Sequence, residues 1–184
     1  MTFSRVSLTV SLFIGLFLIQ ETIVNQIHFF IGGFSLYLAA ALAWISMENR
    51  NGSIISGFIA GLILDLSPTI DSPFGQWTLI LTIVGYIVSV NREGMGDFET
   101  RPLTLAFIIA GATTLTLILF LIATSILGES NTTLQASMRE LLGNFLWTLF
   151  LSPIYVPLIN RFHRRSEEHT SELQSQSTIS YAVF

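Results

Sequence analysis

The feature that most restricts what this chain can fold into is the length of its apolar runs. A membrane-crossing helix needs roughly 20 apolar residues, at about 1.5 Å of rise each, to traverse a hydrocarbon layer about 30 Å thick. Six runs of that order follow one another, over residues 6–24, 27–47, 54–70, 74–90, 103–127 and 141–160. Only 11% of the 184 residues are charged and 51% are hydrophobic, against about a quarter charged in soluble domains. The apolar residues fall in spanning blocks and lack an amphipathic period, so helices packed on helices in lipid explain them better than a soluble core. The expected fold is an all-α integral membrane protein with six transmembrane helices.

Arginines orient the bundle, because cytoplasmic loops retain basic residues. The chain has no lysine; Arg5, Arg50, Arg92, Arg101, Arg161 and Arg164 fall on one side of six counted spans, and only Arg139 falls on the other. Both termini are therefore expected in the cytoplasm, with Glu21, Asp71 and the segment GESNTTLQASMRE on the outer face. That segment is expected to approach the sixth helix as a short amphipathic stretch. The first run, VSLTVSLFIGLFLI, could pass for a secretory signal, but no A-x-A-like cleavage site follows, and it reads as a retained helix. The absence of cysteine excludes disulfides, thiolate metal sites and a Cys nucleophile.

The last 20 residues differ in character. RSEEHTSELQSQSTISYAVF is polar and follows a basic helix end, NRFHRR. RSEEHTSELQS resembles the in-frame translation of a widely used sequencing-library adapter, and ISYAVF its downstream part. Residues 165–184 are therefore set aside as a non-native tail, leaving 1–164 as the six-helix transmembrane domain. Without Arg165, Glu167, Glu168 and Glu172 the formal charge moves from -4 to -2, so the acidic balance says little about partners.

Within the third run, GFIAGLILDL carries a carboxylate, Asp65, with no basic residue nearby. A charge at membrane depth costs at least a few kcal/mol unless paired, hydrated or protonated. Three readings stand: Pro68 ends the helix early and Asp65 bonds the amides of the Ser67-Pro68 turn; a neighbouring helix satisfies it; or it belongs to a transport site. Ser53, Gly57 and Gly61 recur every four residues, a small-residue stripe that lets helices approach closely in lipid, and Asp65 continues that face. If the stripe packs a helix, Gly61→Leu is severe and Asp65→Asn mild. The turn SPTIDSPFGQW, with Pro68, Pro73 and Gly75, reads as an ordered outer turn, Gly75 permitting positive φ. Pro153 and Pro157 interrupt the last run and are expected to kink it. Trp44, Trp77, Trp147, Tyr86 and Tyr155 read as interfacial or packing aromatics.

His28 and His163 make no metal-ligand spacing, and no metal or cofactor is expected. No G-x-S-x-G, H-E-x-x-H, P-loop or G-x-G-x-x-G occurs, so no enzymatic activity is expected. The scattered arginines form no basic patch for nucleic acid.

Residues 56–88, SGFIAGLILDLSPTIDSPFGQWTLILTIVGYIV, resemble the signature region of the MreD family of rod shape-determining membrane proteins, in which a G-x-x-x-G-L-x-x-D-L helix leads through a P-x-G turn to an L-x-x-x-x-V-G-Y helix. Gly57, Gly61, Leu62, Asp65, Leu66, Pro73, Gly75, Val84, Gly85 and Tyr86 stand at the matching positions. The closing SPIYVPLINRFHRR is consistent with the family, whereas NQIHFFIGG lacks the Pro-Asp or Pro-Asn associated with its second span. The resemblance implies a non-enzymatic component of the bacterial cell-elongation machinery in the cytoplasmic membrane. It would work with MreC and, through it, with MreB, RodA and a penicillin-binding transpeptidase that makes peptidoglycan. The resemblance also implies a bundle similar to the S-components of energy-coupling-factor vitamin transporters. The alternative function is thus a solute-binding subunit with Asp65 near its pocket, although the alanine-free first helix is unlike the A-x-x-x-A docking surface of those subunits. Gly57, Gly61, Asp65, Pro68, Pro73, Gly75, Gly85 and Tyr86 are the candidate packing or interaction residues.

Overall fold

The computed structural model describes residues 3–27, 29–67, 72–95, 102–128 and 133–181. Six α-helices account for nearly all of them: α1 (Phe3–Thr22), α2 (Leu36–Met47), α3 (Arg50–Asp65), α4 (Gln76–Met95), α5 (Pro102–Ile126) and α6 (Leu134–Tyr181). Three are long and apolar enough to cross a membrane, over Arg5–Gln26, Leu103–Ile126 and Leu134–Arg165; α2 and the Gln76–Asn91 part of α4 are apolar but shorter.

The helices run alternately up and down. At one end the start of α1 meets the end of α2 and residue 163 of α6, through Arg5, Glu48 and His163. The start of α3 joins them, since Ser53 Oγ donates to the carbonyls of Ile45 and Glu48. At the opposite end Gln20 near the end of α1 reaches the first turn of α2, and Gln76 at the start of α4 reaches Phe120 and Thr124 near the end of α5.

The second helix departs most from expectation. The apolar run predicts a span over 27–47; the helix starts only at Leu36. The preceding Gly-Gly breaks it, with Gly32 at φ 60°, and the first turn of α2 is capped twice. Ser35 accepts from Leu38 N at 3.2 Å, and Gln20 Oε1 accepts from Tyr37 N at 3.2 Å. With 12 residues, α2 extends only about 18 Å. It is the centre of the molecule: every residue from Tyr37 to Ser46 is buried, and it packs against all five other helices. Alanines at 39, 40, 41 and 43 allow that crowding, while Phe13, Tyr37 and Trp44 fill the space around them with edge-on ring contacts.

The sixth helix is longer than expected. It takes in the GESNTTLQASMRE segment from Leu134 on, and residues 165–181 continue it without a break in helical backbone. Pro153 and Pro157 lie inside it and do not end it. Pro153 cannot donate to the carbonyl of Leu149, and Ser152 Oγ takes that acceptor instead at 2.7 Å.

Candidate interaction site at the α3 and α4 seam

Asp65 is the last residue of α3, and its carboxylate closes the first turn of the next helix. Four backbone N–H groups at the start of any α-helix lack partners within it. In α4 the groups from Gln76 to Leu79 all find acceptors: Gln76 N donates to the Pro73 carbonyl (3.1 Å), and Leu79 N makes the first i→i−4 bond, to Gly75 (2.9 Å). Between them Trp77 N and Thr78 N donate to the two oxygens of Asp65 at 3.0 and 2.9 Å, and Thr78 Oγ1 adds a third bond. The positive end of the α4 dipole and these donors take the place of a basic partner. Ser67 N donates to Leu64; the amides that Asp65 accepts from belong to the neighbouring helix.

That capping requires α3 and α4 to touch backbone to backbone, and the small-residue stripe makes it possible. A methyl group on Gly61 would stand 2.5 Å from the Trp77 carbonyl oxygen and 2.6 Å from Thr78 N. One on Gly57 would stand 2.5 Å from the Leu81 carbonyl oxygen. From the other side, Gly85 of α4 faces the Ser53 carbonyl at 2.8 Å from where its Cβ would be. Gly57, Gly61, Asp65 and Gly85 therefore converge on one seam. Tyr37 of α2 braces its far side by donating its hydroxyl to the Ala60 carbonyl at 2.8 Å.

The remaining candidates divide. Pro73 and Gly75 form the turn into α4, Gly75 at φ 94°, a conformation that disfavours any side chain. Tyr86 lies outside the seam, exposed, with the Arg50 guanidinium 5.3 Å above its ring and donating to its hydroxyl. Pro68 and Asp71 lie outside the described residues. The stripe is filled within the chain, so the surfaces left for a partner are the outer faces of the helices, such as Ile55, Phe58, Leu79 and Ile83.

A second polar cluster has no counterpart in the sequence motifs. Glu48 ends α2 with 1% of its side chain exposed, 3.2 Å from Arg5 of α1 and 3.6 Å from His163 of α6. His163 also lies edge-on to Trp44, its ring centroid 4.9 Å away. Gly52 makes room for this carboxylate. The three residues are 43 and 115 positions apart, so no local spacing betrays them; the signal is a carboxylate that closes an otherwise uncharged apolar run. Among the described residues no group of three or more His, Cys, Asp or Glu side chains could hold a metal ion.

The family model described as rod shape-determining protein MreD matches residues 4–162 of the chain. No curated protein and no solved structure gives a match.

Proposed function

The chain belongs to the MreD family of rod shape-determining proteins, and on that premise we propose that it is a multi-pass component of the bacterial elongation machinery that acts by contact and performs no chemistry. The chain crosses the cytoplasmic membrane six times, the second pass made by α2 together with the irregular segment before it, and both termini face the cytoplasm. Supporting this topology, Arg5, Arg50, Arg161 and Arg164 cluster at the end of the bundle marked by Glu48, and Arg139 at the other.

The observation that carries the reading is a family match over residues 4–162, which reaches into all six helices. The α3 and α4 hairpin, locked by Asp65, supplies a rigid body whose outer faces meet a partner of the MreC type, and through it MreB, RodA and a penicillin-binding transpeptidase. The test is a gentle-detergent pull-down of the full chain from native membranes, with bound proteins identified by mass spectrometry. Recovery of MreC, RodA or a transpeptidase supports the elongation scaffold. Recovery of ABC-type ATPases with their coupling subunit would replace it with a solute-binding subunit of the S-component kind.

A further inference from the structure

Among the described residues Arg139 is an arginine that lies away from the basic end of the bundle, and it borders an unusual pair of depressions. One is an open cavity of about 570 Å³ and mixed lining, in which Arg139 and Glu140 bring the charges and Thr133 and Gln135 further polar groups beside Gly32 and Ala136. The other is an apolar groove of about 310 Å³ lined by Phe30, Ile31, Leu146, Trp147 and Phe150. The two adjoin, because Arg139 donates to the Phe30 carbonyl at 3.1 Å and Ile31 precedes Gly32 in the chain.

Both are built by the same two elements, the irregular 29–33 segment and the first half of α6. Trp147 Nε1 fixes the groove side by donating to the Ile31 carbonyl at 3.2 Å. Gly32 lies close against α6, where a Cβ would stand 2.5 Å from the Arg139 carbonyl oxygen and 3.0 Å from the Gly143 Cα. Charged cavity and apolar groove are thus held in fixed register, the groove one to three turns of α6 beyond Arg139 and Glu140.

We propose that this composite site binds one phospholipid with a zwitterionic, amine-bearing headgroup, of the phosphatidylethanolamine type. The charge pattern selects that occupant. Arg139 uses part of its fork of N–H donors on Phe30 and has others for a phosphate. Glu140, the next residue, lines the same cavity and matches an ammonium group. A purely anionic headgroup would meet Glu140 unfavourably. An acyl chain then lies along Phe30, which is 91% exposed, and Phe150, which is 72% exposed.

Trp147 reports on the site directly, since Trp44 and Trp77 are buried. The full chain is reconstituted in phosphatidylglycerol vesicles holding a minor fraction of phosphatidylethanolamine with brominated acyl chains, and in the mixture with the brominated headgroup exchanged. Trp147→Phe identifies the reporter's share of the fluorescence. We expect brominated phosphatidylethanolamine to quench Trp147 with an association constant about threefold higher than brominated phosphatidylglycerol, the scale of an exposed ion pair. Glu140→Gln is expected to abolish that preference. Equal quenching by the two headgroups in the parent protein overturns the proposal without reference to any variant. So does a preference unchanged in Glu140→Gln, or a Trp147 shielded from both lipids.

Discussion

Gly61 has no room for a single added carbon. Because a Cβ there would press on the backbone of Trp77 and Thr78, Gly61→Ala is expected to lose about 1 to 3 kcal/mol, the range for overpacking a tight contact, and Gly61→Leu to prevent assembly of the hairpin. Gly111, with nothing within 4 Å of its Cβ position, is the control: Gly111→Ala leaves thermal unfolding in detergent unchanged or slightly later. Asp65 is also less replaceable than its bare sequence context suggests. An amide offers one accepting oxygen, and its NH₂ would face a backbone N–H now bonded to the carboxylate. Asp65→Asn should therefore cost about 1 to 3 kcal/mol, a clear departure from the mild effect that the sequence leads one to expect when the stripe packs a helix. A melting temperature matching the parent for both Gly61→Ala and Asp65→Asn would remove the seam as the source of the hairpin's rigidity.

At the scale of helices, α1, α2 and α6 are joined at one end by a buried charge cluster, and its weakest point is the single carboxylate. Glu48→Ala leaves Arg5 and His163 facing each other without their shared acceptor, and truncating one member of a buried pair costs about 3 to 5 kcal/mol. The double variant with Arg5→Leu is expected to recover part of that loss in denaturant unfolding; additive losses would mean the two residues are not coupled. The elements themselves were largely legible. Apolar run length located α1, α5 and the middle of α6, and the four-residue spacing of Ser53, Gly57 and Gly61 marked the face that packs on α4. What sequence could not convey was reach. The start of α2 depends on Gln20, 15 positions before the Ser35 cap. Asp65 finds its donors 12 and 13 positions onward, and Glu48 finds its partners in the first and last helices. Hydropathy counts residues along one run and carries no term for a side chain that caps another.

For the whole molecule, the alternating bundle with its unequal distribution of arginines makes a sidedness prediction that the absence of native cysteine renders simple to check. Asn51 and Gln135 are exposed residues at opposite ends of the bundle. In intact cells Gln135→Cys should react with a membrane-impermeant maleimide, and Asn51→Cys only after permeabilisation; the reverse pattern would invert the topology. A chain ending at residue 164 should keep the parent's melting temperature if residues 165–184 are foreign to the domain. The enclosed position of α2 bears on how the protein is made. At 12 residues it is too short to be held by lipid alone, and its partners include α6, which emerges last from the ribosome. The second helix synthesised can reach its final surroundings only after the sixth is available. A nascent chain halted before α6 therefore exposes an unfinished helix to the insertion and degradation machinery, so biogenesis is all-or-none even though each long helix could enter the membrane separately.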